Sequence, residues 1–141
     1  MIYLLDTDHI SLIHRGGPTG DNIESRLGEV YSESVFLSIV SFEEQTRGWI
    51  AELNRNRLIH LQEAVYAELA KLLELYGNTP ILQFDAGAIA EYQRLGRLRL
   101  RVGTMDLKIA AIALANDATL LTRNFADFKK VPGLRIEDWS L

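Results

Sequence analysis

The sequence predicts a single α/β domain in which a parallel sheet lies between two layers of helices. Short apolar runs alternate along the chain with longer segments of helical periodicity, and this alternation is typical of a parallel sheet covered on both faces. The helix predicted to open near residue 104 is almost wholly apolar, because only Lys108 is polar between residues 107 and 115. Such a helix is expected to be buried between layers. With 141 residues, 48% of them hydrophobic, the chain has the size and composition of one domain with a substantial core.

Composition narrows the class of protein further. The chain contains no cysteine, which excludes a disulfide framework and leaves oxygen ligands as the available metal chemistry. The first apolar run has four residues and stops at Asp6, so it is too short for a signal peptide or a membrane span. We therefore expect a cytoplasmic protein with no membrane contact. The net charge of −4 argues against a generally basic nucleic-acid-binding surface, although residues 94–101 carry four arginines and no acid.

The N-terminal half predicts two strands, each followed by helices. Residues 2–5 form a buried strand that ends at Asp6, and Thr7 or Asp8 caps a short helix. The glycine-rich segment 16–20 separates this helix from a second one, which is expected to be capped at residue 21 or 22.

The next strand, residues 35–39, runs directly into a long helix that continues to about residue 55. Its start carries a capping box, with Ser41 as the N-cap and Glu44 three residues later.

The C-terminal half continues the alternation. The spacing of apolar residues and the capping signals predict a helix over 60–76, a short strand within 79–84, and a helix from Asp85 to about residue 96. The buried helix then begins with Thr104 as its N-cap. It is followed by a strand over 118–122, a loop over 123–128 and a last strand over 134–136.

Acidic residues lie where these strands give way to helices. Asp6 ends the first strand, Glu43 and Glu44 follow the second, Asp106 opens the buried helix, and Asp127 lies in the loop beyond the strand over 118–122. Ligands of open parallel sheets gather outside the carboxyl ends of the strands. Carboxylates crowded together raise one another's pKa unless a cation neutralises them. The pattern therefore favours a Mg²⁺ or Mn²⁺ site that hydrolyses phosphodiesters through metal-activated water.

Each of these acids also has an ordinary structural explanation. Asp6 and Asp127 fit caps or turns, Glu44 fits the capping box, and Asp106 complements the helix dipole. Helical periodicity places Glu43 nearer than Glu44 to the apolar face, so the pattern leaves open which glutamate faces the site. Asp8 is a weaker candidate than Asp6. The three histidines, His9, His14 and His60, lack the paired spacing of a metal-binding helix and are expected to be surface or hydrogen-bonded structural residues.

In their order and spacing, four segments resemble the PIN-domain ribonucleases of the VapC type, which are the toxins of bacterial toxin–antitoxin pairs. They are residues 4–8 (LLDTD), 38–48 (SIVSFEEQTRG), 103–128 (GTMDLKIAAIALANDATLLTRNFADF) and 133–139 (GLRIEDW). The resemblance implies a three-layer α/β/α PIN-like domain with a central parallel sheet. It also implies divalent-metal-dependent cleavage of RNA, often structured RNA such as tRNA, together with dimers and inhibition by an antitoxin that inserts near the active site.

The resemblance also assigns residues to roles. Asp6 matches the family's first acid and Asp106 its third, while Glu44 matches the second because glycine, here Gly48, follows four residues later. Where many relatives have a fourth aspartate this chain has Asn124, which supplies no charge. The resemblance therefore favours a site for one metal ion over a site for two. The implied catalytic residues are Asp6, Glu44, Asp106 and Asp127, with Asp6 and Asp106 as metal ligands. The supporting residues are expected to be Thr7, Glu43, Thr122 and Asn124. Apart from the resemblance, the basic side chains of Arg97, Arg99, Arg101 and Arg123 suggest contacts to RNA or antitoxin, and a solvated connector between helices explains the arginine run equally well.

Two other functions fit parts of the pattern. A binding module that keeps the architecture without activity is compatible with the asparagine at position 124. A phosphatase of the haloacid-dehalogenase kind would use Asp6 of the Asp6-Thr7-Asp8 motif as a covalent nucleophile. The phosphatase ranks low, because its partner lysine and acidic pair are not evident and the chain is short for that fold.

Overall fold

The computed structural model describes residues 1–141 and contains a five-stranded sheet with the strand order β3-β2-β1-β4-β5, in which every pairing is parallel. The α/β prediction with layers of helices around a parallel sheet is confirmed. In chain order the elements are β1 (Ile2–Leu5), α1 (Thr7–Arg15), α2 (Pro18–Leu27), β2 (Val35–Ser38), α3 (Ile39–Arg55), α4 (Glu63–Asn78), β3 (Ile81–Leu82), α5 (Ala86–Gly96), α6 (Thr104–Ala115), β4 (Ala118–Leu121), α7 (Phe125–Phe128) and β5 (Arg135–Glu137).

The two faces of the sheet bury separate clusters of apolar side chains. Leu4 and Leu120 belong to the larger cluster, which includes the fully buried residues 109–113 of α6. Their neighbours Leu5 and Leu121 belong to a second cluster with residues of α1 and α2. Successive side chains of a strand point to opposite faces, so this division shows that helices cover both sides of the sheet. The predicted burial of α6 between layers is therefore confirmed.

The strand order places the carboxyl ends of β1 and β4 side by side at the centre of the sheet. From β1 the chain proceeds outward to β2 and β3 on one side, whereas β4 and β5 lie on the other. Leu5 pairs with Leu121, so the next residues, Asp6 and Thr122, emerge as neighbours. A change of direction in strand order is where open α/β sheets form a crevice for ligands.

Several helices, among them α1, α2, α4 and α6, begin at residues other than those the sequence predicted. Asp6 itself caps α1, since its side chain accepts the N–H of Thr7, and neither Thr7 nor Asp8 is the cap. The helix α2 starts at Pro18 rather than after residue 21, because proline at the first helical position needs no N–H partner and has a suitable φ. At α6 the cap is Gly103, and Thr104 is already inside the helix.

The start of α3 corrects the capping-box prediction. Ser38, the last residue of β2, is the N-cap, and its hydroxyl accepts the N–H of Ser41 at 2.9 Å. The helix therefore begins three residues earlier than Ser41 would place it, and Glu44 lies beyond the first turn. The carboxylate of Glu44 is consequently free of a capping role.

The predicted loop over 123–128 contains a short helix, α7, capped by Asn124. The side-chain oxygen of Asn124 accepts the N–H of Asp127 at 3.4 Å, so the polar residues that suggested a turn start a helical turn instead.

Close approach of backbone to backbone fixes the packing of α1 against α2. A Cβ atom added at Gly20 would lie 2.5 Å from the carbonyl oxygen of Leu12, which is too close for any other residue.

A membrane span requires both length and hydrophobicity, and none of the helices meets both requirements.

A candidate active site at the carboxyl end of the sheet

Asp6 is the most deeply buried acid of the site. It is 5% exposed, and its two carboxylate oxygens accept from different elements, one from the N–H of Thr7 at 2.8 Å and the other from the Thr122 hydroxyl at 2.8 Å. Burial, followed by the negative charge of Asp8, raises the pKa of Asp6 to about 7. The charge of Asp106 acts in the same direction, so the two carboxylates lie close enough to interact.

Glu44 approaches Asp6 through the intervening Thr7. The Thr7 hydroxyl donates to one oxygen of Glu44 at 2.9 Å and lies 3.0 Å from the Ser41 hydroxyl. Burial raises the pKa of Glu44, and the charge of Asp106 raises it further. The structure therefore places Glu44 beside the other acids and answers the question that the helical pattern left open.

Glu43 points elsewhere. Its carboxylate forms an ion pair with Arg47 one turn along α3, and both side chains are substantially exposed. The helical pattern favoured Glu43 because it assumed that the apolar face of α3 leads to the site. Ile50, an apolar residue of that face, is 47% exposed, so the face is not wholly buried. Glu43 is therefore not brought into the site as the supporting residue that the sequence suggested.

Asn124 separates two acids on the far side of the site. Its amide nitrogen donates to Asp106 at 3.2 Å and to Asp127 at 3.1 Å, so it bridges the first turn of α6 and the first turn of α7. Burial and then the charge of Asp127 raise the pKa of Asp106. Asp127 is more exposed and also lies 3.5 Å from the ammonium group of Lys130. An amide at position 124 thus supplies donors where an aspartate would add charge.

Asp8, in contrast, is occupied by structural hydrogen bonds. One oxygen lies 2.8 Å from Nδ1 of His9, and the other accepts the N–H of Arg123 at 2.8 Å and lies 3.2 Å from the Thr122 hydroxyl. Burial alone would favour the neutral acid, but these hydrogen bonds outweigh it and lower the pKa of Asp8. The residue therefore carries a stable negative charge at the back of the site.

Together the acids form one hydrogen-bonded and electrostatically coupled group, although no three His, Asp or Glu side chains form a ready-made metal site. The donor set suits a hard cation, because carboxylates are its only charged ligands and the pKa values of Asp6, Glu44 and Asp106 are all raised. Magnesium commonly uses one or two protein carboxylates and completes its shell with water. In charge and ligand type, the residues present suit a cation of this kind.

A loop rich in arginine lies beside this group. Leu100 and Val102 pack against the larger core cluster, while Arg97, Arg99 and Arg101 are exposed and form no ion pair. Arg99 and Arg101 adopt left-handed backbone conformations with φ of 50° and 59°. Such conformations are unfavourable for residues with a Cβ and concentrate at functional sites.

The loop is joined to the acids by Lys130, which contacts the carbonyl oxygen of Arg101 at 3.4 Å as well as Asp127. The side chain of Arg123, between β4 and α7, is exposed and also unpaired. All four predicted arginine contacts are thus free of protein partners.

A separate groove of about 670 Å³ lies between α1, α3 and α4. Leu5, one residue before Asp6, is among the residues that line it, and the lining is mainly apolar. Ile10, Ile13, Trp49, Leu72 and Leu75 line it, with charged side chains at its rim.

Sequence reasoning missed the hydrogen bonds that hold the acids in place. Ser38 and Ser41 were readable as capping residues, but nothing local indicates that Ser41 lies beside Thr7. The contact of His9 with residue 139 spans 130 positions and has no periodic signal. Only the fold brings these groups together.

Comparison with known proteins gives consistent results. The sequence pattern of the PIN domain matches residues 3–134. Ribonuclease VapC1 of Rickettsia felis is 38% identical over 137 residues, covering 94% of this chain and 92% of that protein. The tRNA(fMet)-specific endonuclease VapC of Shigella flexneri is 35% identical over 79 residues, covering 51% of this chain and 58% of that protein. Among solved structures, VapBC-1 from nontypeable Haemophilus influenzae superposes with a TM-score of 0.77 at 22% identity and full coverage of both chains.

Proposed function

The chain belongs to the PIN-domain family and to its VapC ribonucleases, and on this premise we propose that it is a toxin endoribonuclease that hydrolyses RNA with a divalent cation. The observation that carries the proposal is the meeting of Asp6, Glu44 and Asp106, which are far apart in sequence, at the switch point of the sheet with raised pKa values. Grouped carboxylates of this kind are expected where a cation and a phosphate are to be bound.

Asp6 and Asp106 are the residues that would hold Mg²⁺ or Mn²⁺. When bound, the cation supplies an activated water and stabilises the negative charge that develops on the leaving oxygen. The Thr122 hydroxyl orients Asp6, and the Asn124 amide orients Asp106. Asn124 carries a neutral amide at the position where an aspartate would help to bind a second cation. The proposal therefore uses one cation.

Glu44 is positioned to accept a proton from the attacking water. Thr7 holds one of its carboxylate oxygens, and the other has no hydrogen-bond partner within the protein. Asp127 lies at the exposed rim, where it adds negative charge beside Asp106. Its role is accordingly to strengthen cation binding.

The unpaired arginines of the loop over 97–101, with Arg123, are suited to bind the RNA backbone next to the acids. Guanidinium groups without protein partners bind phosphates without a cost for breaking an ion pair. The relative from Shigella is named as specific for tRNA(fMet), and we propose a structured RNA such as tRNA as the substrate class here. An RNase of this kind acts in the cytoplasm, where such RNA is found.

We propose two protein partners. The groove between α1, α3 and α4, which Leu5 helps to line, is apolar enough to take the amphipathic helix or extended segment of an antitoxin near the active site. A second copy of the chain is proposed to cover the exposed apolar side of α3 around Ile39, Phe42 and Ile50, giving a homodimer.

The test uses the two adjacent glutamates as a matched pair. Purified protein, freed of any antitoxin, is incubated with total tRNA and Mn²⁺, and cleavage is followed on denaturing gels. We expect Asp106→Asn and Glu44→Gln to reduce cleavage at least 100-fold while keeping the fold, Glu43→Gln to cleave like the wild type, and a chelator to stop the reaction.

Three outcomes would contradict the proposal. Wild-type protein that binds RNA without cleaving it would indicate a binding module. Cleavage by Asp106→Asn at the wild-type rate would exclude the acidic group as the centre. A phosphorylated Asp6 trapped with a phosphate monoester would point to the phosphatase.

A further inference from the structure

His9 is completely buried, and both of its ring nitrogens are used by the protein. Nε2 lies 3.1 Å from the backbone nitrogen of Trp139, and Nδ1 lies 2.8 Å from a carboxylate oxygen of Asp8. A backbone N–H can only donate, so Nε2 is the acceptor. The proton is therefore on Nδ1, which donates to Asp8, and the ring is the neutral Nδ1–H tautomer.

Asp8 carries this contact into the turn that follows β4. Its second oxygen accepts the N–H of Arg123 at 2.8 Å and contacts the Thr122 hydroxyl, and the Thr122 hydroxyl in turn accepts the N–H of Asn124 at 3.0 Å. Asp8 is thus the only side chain that connects α1 with the backbone of the turn at residue 123. This carboxylate therefore holds the turn together with the backbone hydrogen bond from the Thr122 N–H to the Glu137 carbonyl at 2.9 Å.

The turn carries groups that the proposed reaction needs. The Thr122 hydroxyl donates to Asp6, and the Asn124 amide donates to Asp106. A rotation of Asp8 would release the Arg123 N–H and move Thr122 and Asn124 relative to both acids. Displacement of about 1 Å at a reacting group can lower a rate about 100-fold.

We propose that His9 is a positioning residue: by fixing the rotamer of Asp8 it sets the turn at residues 122–124 and so the spacing of Asp6 and Asp106. The inference rests on the proposed function for its effect on catalysis. The hydrogen bond to Trp139 has a different task, because it attaches the C-terminal segment to α1 and holds the ring in the required tautomer.

Two substitutions separate the nitrogens of the ring. Asparagine places an amide donor near the position of Nδ1, so His9→Asn keeps a donor for Asp8 and loses the acceptor for Trp139. Glutamine reaches the position of Nε2, so His9→Gln keeps the acceptor and loses the donor. Both variants remove the imidazole from a buried site, so a merely structural role predicts similar losses in both.

We expect His9→Gln to lower kcat for RNA cleavage at least tenfold with KM changed less than twofold, and His9→Asn to stay within about threefold of the wild-type kcat. Both are expected to lose thermal stability to a similar degree. Rates are measured below the melting temperature of the less stable variant. Equal losses of kcat in the two variants, or the reverse order, would overturn the proposal.

Amide hydrogen exchange tests the contacts without relying on cleavage. The Arg123 amide should exchange faster in His9→Gln than in His9→Asn, and the Trp139 amide should show the opposite order. If neither variant folds, ¹⁵N spectra of the wild-type imidazole decide, since protonated Nε2 would overturn the assigned tautomer and with it the proposal. Absence of RNA cleavage by the wild type would contradict the proposed function, whereas exchange rates that do not differ would contradict the role of His9.

Discussion

Replacing the buried acid Asp6 by asparagine should stabilise the metal-free protein at neutral pH and abolish its activity. The pKa of Asp6 is raised from 3.8 to about 7 by burial and by the charge of Asp8. Between these values the folded state binds a proton that the unfolded state has released. By linkage, the stabilising contribution of the protonated acid is complete below the lower value and is lost as the pH rises through the higher one.

The size of the effect follows from the difference between the two pKa values. Each unit corresponds to about 1.4 kcal/mol, so a difference of about three units lowers the free energy of unfolding of the wild type by up to about 4 kcal/mol between pH 4 and pH 7. Asparagine cannot ionise and therefore does not lose this contribution. It also preserves the local structure, because its carbonyl caps α1 and its amide nitrogen faces the Thr122 hydroxyl.

Urea unfolding in the presence of a chelator, at several pH values, measures the difference between Asp6→Asn and the wild type. We expect this difference to increase in favour of the variant by about 2–4 kcal/mol from about pH 4 to pH 7.5. Asp117→Asn is the matched control, since Asp117 is an exposed aspartate whose left-handed backbone asparagine also tolerates. Addition of Mn²⁺ should stabilise the wild type at pH 7.5, by about 2.7 kcal/mol at 100 times Kd, and leave Asp6→Asn unchanged. Parallel pH profiles for Asp6→Asn and the wild type would refute the reasoning.

Two further predictions concern the packing of α1 and the arginine loop. Gly20→Ala should destabilise the fold by about 1–3 kcal/mol, because the added Cβ would meet the Leu12 carbonyl. Gly48→Ala, on the open face of α3, should stabilise the fold by about 0.5–1 kcal/mol. Urea unfolding measures both changes. Replacing Arg99 and Arg101 by glycine should not lower the stability of the fold, because glycine accepts φ values near 50–60°. The same replacement should weaken RNA binding and reduce the dependence of that binding on salt concentration. Fluorescence anisotropy with RNA on an Asp106→Asn background measures this, and unchanged binding would show that the loop is only a solvated connector.

The fold could be predicted from the sequence because its signals are local. Apolar runs that end at Asp6 and Thr122 predict strands, and the apolar stretch after Asp106 predicts a helix buried between layers. The bounds of β1, the end of α3 and the start of α5 at Asp85 agree with the structure. The first residues of helices were harder to predict, because several consecutive polar residues can each act as the N-cap. The residue at which the preceding strand ends determines which of them caps the helix.

The site was predictable as a set of acids but not as an arrangement. Position at a strand end selected Asp6, and position in the first turn of the buried helix selected Asp106. The choice between Glu43 and Glu44 depended on which face of α3 meets Thr7, and this depends on the packing of α3 against α1 rather than on any period within α3. The part played by His9 depends on residue 139, and separations of that length leave no trace in a single sequence.

The placement of Thr122 beside Asp6 also bears on when the site can form during synthesis. The hydroxyl that orients the first acid is encoded 116 positions after it, at the residue directly after β4. A nascent chain on the ribosome has no assembled centre until translation has passed that strand. The proposed centre therefore cannot form until most of these 141 residues have been synthesised.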